Sequence, residues 1–272
     1  MAAPALPIAP PLATSGSLRR SGRVLEHDLL VFRRSWFSYL LAGLSQPFLY
    51  LVAMGIGLGL YVNRNGGAPG GVSYLVYVAP ALLVTQAMMA GAAEAAWPIM
   101  GKIMWNKVYL AALNTPLTSR DLLFGDLSWI GFRATLLGVL FLVVIVVLGG
   151  AASPLVALAV PVAVLTAIAF AAPIMAFTAT QRGDGGFNVL FRFGITPLFL
   201  FSGTFFPIEK LPLFLQPAAW ITPLYHGVAL ARSFSLGLVE PIGWAVHLAA
   251  LLAFAVAGIA AGSITFRRRL EV

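Results

Sequence analysis

Long runs of apolar residues, with little alternation of apolar and polar positions, organise this chain. A membrane-spanning helix needs about 20 mostly apolar residues. Six stretches meet that need: residues 36–62, 72–98, 122–148, 153–180, 187–206 and 241–266. The first carries no charged residue, the third is interrupted by Asp126 and Arg133, and the fifth has Arg192 near its start. The pattern predicts an all-α integral membrane protein with six transmembrane helices spread over residues 36–266.

Residues 207–232, between the fifth and sixth spans, are apolar but contain Pro207, Pro212, Pro217 and Pro223. Prolines at that density break a helical hydrogen-bond ladder. Backbone broken at membrane depth has to be shielded by protein. A re-entrant helical region dipping into the outer face is expected here, with Phe206, Pro207, Pro212, Pro223 and His226 as its markers.

Composition agrees with the pattern: 60% of the 272 residues are apolar and 10% are charged, against about 25% charged in an ordinary soluble domain. The net charge of +8 would suggest nucleic acid in a soluble protein, but basic residues collect on the cytoplasmic loops of membrane proteins, and no nucleic-acid partner is expected. With the N-terminus inside, Arg19, Arg20, Arg23, Arg33, Arg34, Lys102, Lys107, Arg120, Arg182, Arg192 and Arg267 to Arg269 fall on the cytoplasmic side. Only Arg64, Lys210 and Arg232 fall outside. Both termini are therefore expected in the cytoplasm, residues 1–17 as a disordered tail and 267–272 as a short basic one. The absence of cysteine excludes disulfides, a thiol nucleophile and cysteine-held metal.

Two segments on that side stand out. In residues 18–35, Leu25, Leu29, Phe32 and the following Trp36 recur at helical spacing, and the basic residues lie mostly off that stripe. This predicts an amphipathic helix at the lipid surface, either a plain anchor or a dock for a cytosolic partner. The loop 101–121 is unusually apolar, with Trp105, Tyr109, Leu110 and Leu113. Residues 108–113 suit a short helix that Thr115-Pro116 stops, and Thr118 with Asp121 suits an N-cap opening the third span. A loop this apolar packs on its own bundle or fits a partner's groove.

Glu94, Asp126 and Arg133 place charge in or beside the spans. A charge at the bilayer centre costs about 2.5–3.5 kcal/mol on insertion scales, so these groups should face protein or water. They are either a structural cluster near the ends of the second and third spans or a lined pathway. His226 and His247 are the histidines near the outer face. Gly55 and Gly59 form a small-xxx-small pair on the first span, a weak signal of helix association. There is no P-loop, His-Glu-x-x-His or Gly-x-Ser-x-Gly motif in the sequence. The chain is not expected to be an enzyme or to bind a cofactor or metal of its own; an intramembrane enzyme using His226 or His247 ranks last.

Three stretches resemble the membrane (permease) subunit of type-2 ABC exporters, including the nodulation lipo-oligosaccharide and daunorubicin-type drug exporters. One is residues 105–126, with Leu-Asn-Thr-Pro-Leu-Thr-Ser-Arg-Asp-Leu-Leu-Phe-Gly-Asp, which is similar to the family's cytoplasmic coupling segment leading into the third span. Another is Phe-Ser-Gly-Thr-Phe-Phe-Pro-Ile-Glu-Lys-Leu-Pro with Pro-Leu-Tyr-His-Gly-Val-Ala-Leu-Ala-Arg, within residues 201–232, although Tyr225 stands where Thr or Ser is common. The third is the basic amphipathic helix.

The resemblance implies a bacterial inner-membrane permease that pairs with a second copy, as a homodimer, and with a separate ATP-binding subunit that holds the ATP and Mg. It assigns Leu25, Leu29, Phe32, Tyr109, Leu110, Leu113, Thr115 and Pro116 to contact with that subunit. The implied substrate is a lipophilic drug, natural product or glycolipid. The competing reading is an ion- or proton-coupled carrier built on Glu94, Asp126 and Arg133.

Overall fold

A computed structural model describes residues 16–238 and 241–271. The expected N-terminal tail, apart from its last two residues, and Val272 lie outside the described residues. Among the described residues there is no β-strand. Nine helices are labelled here in chain order: α1 Ser17–Arg64, α2 Tyr74–Trp105, α3 Val108–Leu113, α4 Ser119–Val147, α5 Pro154–Thr180, α6 Gly185–Phe201, α7 Gln216–Ile221, α8 Pro223–Leu236 and α9 Pro241–Leu270.

Five of them, α1, α2, α4, α5 and α9, are long and apolar enough to cross a membrane. The fifth expected stretch, 187–206, is shorter as a helix than its apolar composition suggests. α6 ends at Phe201 because Gly203 turns into the left-handed region at φ 83° and Pro207 follows in extended conformation. At 1.5 Å per residue α6 reaches about 25 Å, short of a hydrocarbon core of about 30 Å.

α1 does not run straight. Ser35 leaves helical geometry at φ −128°, ψ 16°, so an amphipathic segment before it is set at an angle to an apolar segment after it. Its second half widens into π-helical turns over Leu51–Leu58. Gly55 and Gly59, which as a motif suggested association with another chain, are buried against Leu75 and Tyr74 of α2. Their small size serves packing within the chain.

α2 and α5 form the centre. Val78, Leu82, Val84 and Met88 of α2 and Ala163, Ala167, Ala171 and Met175 of α5 are fully buried. α5 lies along both α2 and α9, α4 packs between α1 and α5, and α8 rests on α2. Without a hydrophobic drive between helices in lipid, close approach over small residues supplies the packing. A Cβ added at Gly258 of α9 would sit 2.4 Å from Pro173 Cδ of α5, and one at Gly91 of α2 would sit 2.9 Å from the Ala167 carbonyl oxygen.

The bundle has two unlike ends. One gathers the starts of α1 and α4, the ends of α2 and α9, and α3; it carries most of the basic residues. The other gathers the end of α1, the start of α2 and the proline-rich stretch that holds α7 and α8.

Candidate functional site

The basic end is built around three carboxylates. Asp121 is the third residue of α4 and closes a capping box with Thr118: the Thr118 backbone N–H donates to Oδ2 at 2.9 Å and the Asp121 N–H donates to Thr118 Oγ1 at 3.3 Å. A negative charge here also suits the positive end of the helix dipole. Onto this carboxylate α1 docks, with Arg20 Nε donating to Oδ2 at 2.8 Å and Ser17 Oγ to Oδ1 at 3.1 Å. Gly125, one turn further along α4, lets α1 come this close; a Cβ there would sit 2.4 Å from Val24 Cβ.

The other two carboxylates share one ammonium. Lys102 of α2 donates to Asp28 Oδ2 of α1 at 2.8 Å and also pairs with Asp126 of α4. Asp126 in turn accepts the hydroxyl of Tyr109 from α3. Burial, and then the neighbouring Asp126 charge, push the Tyr109 hydroxyl well above its usual pKa range, so it remains a donor. The Tyr109 ring meets Phe266 of α9 at 6.0 Å, and the Ser119 hydroxyl donates to Glu271 Oε1 at 2.6 Å. Three sets of polar contacts thereby tie this end: Asp121 joins α1 to α4, Lys102 with Asp28, Asp126 and Tyr109 joins α1, α2, α3 and α4, and Ser119 joins α4 to the residue that follows α9. Between α2 and α3 the chain reverses through Lys107, the one non-glycine residue with positive φ among the described residues (φ 51°).

This network divides the residues picked out from sequence. Tyr109 is 1% exposed, and Leu25, Leu29, Phe32 and Leu113 are half-buried. Phe32 packs edge-on against Trp129 at 5.8 Å, so the expected lipid-facing stripe turns towards α4. Leu110, 48% exposed, Trp105, Thr115 and Pro116 form the open face of α3 and its flanks. Tyr109 therefore anchors α3 from beneath and is not on its open face. Asp28, Lys102 and Asp121 were missed as site residues, although Asp121 had been recognised as a cap. The pairing of Lys102 with Asp28 joins positions 74 apart, which no local spacing reveals.

The three intramembrane charges do not form one cluster. Glu94 pairs with Arg133 and accepts Trp129 Nε1–H at 3.0 Å, while Arg133 also lies 4.9 Å over the Tyr39 ring. Asp126 belongs to the Lys102 network instead.

At the opposite end, Ile208, Leu211 and Ala219 make a small core with Leu215 and Tyr225, and Pro212 and Phe206 are exposed. Pro207 precedes a single 3₁₀ turn, and Pro223 opens α8 behind the Thr222 cap. His226 and His247 meet through their Nδ1 atoms at 2.8 Å. No group of three or more metal-ligating side chains occurs among the described residues. Arg232, read from sequence as an outer loop charge, reaches inward: Nη2 donates to the Gly203 and Thr204 carbonyls at 3.0 and 3.3 Å, and Nε to the Tyr77 carbonyl at 3.2 Å. Its guanidinium lies 3.7 Å over the Tyr77 ring.

Comparison with known proteins places this architecture. The ABC-2 type transporter family matches residues 23–235. Nodulation protein J of Rhizobium leguminosarum bv. trifolii is 32% identical over 248 residues, covering 91% of this chain and 92% of that protein. Nodulation protein J of Rhizobium meliloti (strain 1021) is 31% identical over 249 residues, covering 91% and 92%. That of Azorhizobium caulinodans is more distant, 24% identical over 77% of this chain and 81% of its own. With five helices of spanning length and a family match over most of its length, this is a multi-pass membrane protein, and the chain belongs to the ABC-2 type transporter family.

Proposed function

We propose that this chain is the permease of an ATP-driven exporter in a bacterial inner membrane, working as a homodimer with a separate ATPase subunit that binds ATP and Mg. The observation that carries the reading is the polar network at the basic end. It holds the amphipathic start of α1, the start of α4, α3 and the ends of α2 and α9 together, yet leaves Leu110 and Trp105 open to a partner. In this reading the basic end is cytoplasmic, as the positive-inside rule favours, and both termini are inside. α6 and the proline-rich stretch together make the fifth crossing and an outer re-entrant region. The cargo is a lipophilic drug, natural product or glycolipid.

ATP-driven closure of the ATPase pair would push on α3. Because α3 hangs from Asp126 through Tyr109, and Asp126 from Lys102 and Asp28, the push passes to α1, α2 and α4 together. Packed side chains, polar contacts and rigid helices that have two discrete arrangements can carry coupling of this kind. The carrier reading is less well supported. Glu94 and Asp126 are each already paired with a different cation, Arg133 and Lys102, which favours separate structural pairs over a shared proton relay.

The test is co-expression with the ATPase subunit and purification in mild detergent. Leu110→Asp is expected to abolish ATPase co-purification and coupled hydrolysis while the permease itself stays monodisperse. Normal assembly and hydrolysis by that variant would sink the assignment of the docking face.

A further inference from the structure

Arg33 and Arg34, just before the kink in α1, stand apart from the ion pairs of the basic end. Arg20 meets Asp121, Lys102 meets Asp28 and Asp126, and Arg133 meets Glu94. Both Arg33 and Arg34 are exposed, and among the described residues neither guanidinium meets a carboxylate. They border a hollow of about 580 Å³ that α1 makes by itself on the approach to Ser35, with His27, Leu30, Val31 and Ser35 as the rest of its lining. Of the acids nearby in the chain, Asp28 is held by Lys102 and His27, and Glu26 is exposed and does not line the hollow. Two adjacent guanidiniums without a counter-charge attract an anion, and the planar fork of each matches phosphate oxygens.

The next stretch of α1 narrows the class of anion. Trp36 begins a second groove, about 630 Å³, that runs past Phe37, Leu41 and Leu44 to Phe48, with Phe141 of α4 on its other side. Besides Trp36 and Ser45 its lining is aliphatic or phenylalanine, and the Ser45 hydroxyl donates to the Ala42 carbonyl at 3.3 Å. Val31, Arg34, Phe37, Leu41, Leu44 and Phe48 follow one another at steps of three or four, which keeps the two hollows along one side of α1. From Trp36 to Phe48 the helix rises about 18 Å, against about 15 Å for half of a hydrocarbon core of about 30 Å. Positive charge, then a tryptophan of the kind that sits at headgroup level, then one leaflet's depth of apolar surface is the order of parts in a phospholipid. A soluble phosphate or an acidic peptide would use the arginines and leave the groove empty.

We infer that the kink of α1 binds an anionic phospholipid of the leaflet at the basic end, its phosphate on Arg33 and Arg34 and one acyl chain in the groove between Trp36 and Phe141. The site follows from the chain's place in a membrane. It depends neither on what the permease carries nor on its ATPase.

The experiment uses the full chain in phosphatidylcholine nanodiscs that hold a small share of phosphatidylglycerol with a diazirine on one acyl chain, and peptide mass spectrometry locates the label. Label is expected on residues 36–49 and 141–144. Unlabelled phosphatidylglycerol should compete it away, whereas the same excess of soluble glycerol phosphate should not. Arg33→Gln and Arg34→Gln should each cut the labelling about fivefold and the double change about 25-fold, the factors that correspond to about 1 kcal/mol for each basic residue near an anionic surface. Arg19→Gln with Arg23→Gln removes as much charge from the same helix and should leave the labelling unchanged. All four positions are exposed, and an unchanged melting temperature separates loss of label from misfolding. Competition by glycerol phosphate, an equal loss in the Arg19 and Arg23 variant, or no loss in the Arg33 and Arg34 variant overturns the inference. The chain has no cysteine, so Leu41→Cys reports on the other occupant the groove could have. It is expected to stay monomeric on oxidation in the nanodisc, and a disulfide-linked dimer would put a second copy in the groove and overturn the lipid assignment.

Discussion

The two ends of the bundle are held by different chemistry. At the basic end, carboxylates on α1 and α4 meet cations on α1 and α2, so side chains fix whole helices relative to one another. At the proline-rich end, one arginine donates to three backbone carbonyls. Hydroxyls add to it there, with Tyr74 donating to the Phe205 carbonyl at 3.1 Å and Thr85 meeting Thr204 at 3.1 Å. Charge pairs join elements that could otherwise slide apart, whereas carbonyl caps shape a turn whose ladder proline and glycine have already broken. The first arrangement suits a part that must move as a unit, and the second suits a part that must keep an irregular backbone covered.

The sharpest way to break this contrast is Lys102→Met. It strands Asp28 and Asp126, and removing one partner of a buried ion pair costs about 3–5 kcal/mol. A large fall in the detergent melting temperature is expected, and the double change with Asp126→Asn should recover part of it. Arg232→Leu comes next: it takes the donor from the Gly203 and Thr204 carbonyls, each worth about 1–3 kcal/mol if it stays dry. Its damage should remain local, read as faster hydrogen exchange over residues 202–222 with the basic end unchanged. Tyr109→Phe removes one hydrogen bond to a charged group, about 1.5–3 kcal/mol. It should loosen α3 and lower ATPase coupling more than it lowers stability.

The smallest effect is a pH dependence at the proline-rich end. Burial, and then the neighbouring His247, hold His226 below its ordinary pKa. A histidine depressed in the folded state gives stability that is complete above its unfolded pKa and is lost as pH falls towards the folded one. The melting temperature should therefore decline slightly as pH drops below about 6.5, and His226→Phe should flatten that slope. An unchanged slope in the variant would place the pH sensitivity elsewhere.

What the sequence made legible was local. The 108–113 helix and the Thr118–Asp121 cap follow from spacing within one or two turns, and the structure has both. The long apolar runs gave five of the spanning helices because composition over about 20 residues is enough to mark them. The fifth apolar stretch forms a shorter helix than its composition suggests, because that composition continues past the point where Gly203 turns the backbone. The polar network was invisible for another reason. Asp28 and Lys102, or Arg232 and Tyr77, meet only after helices pack, and an isolated charge at the edge of an apolar run looks the same whether it faces solvent or a distant partner. Gly55 and Gly59 show the same ambiguity, since a small-residue stripe does not say which helix it receives.

The sharing of Lys102 between two helices bears on how such a chain can be altered by descent or by recombination. Asp28, Lys102 and Asp126 form an indivisible inheritance: a lineage that replaced the lysine with a neutral residue would strand both acids until each had been replaced in turn. A chimera that takes the start of α1 from one relative and the rest from another will be viable only where the two parents agree on this triplet. The boundary for exchanging parts between such proteins therefore lies outside the network, and the kink at Ser35, natural as it looks for a crossover, falls on the wrong side of Asp28.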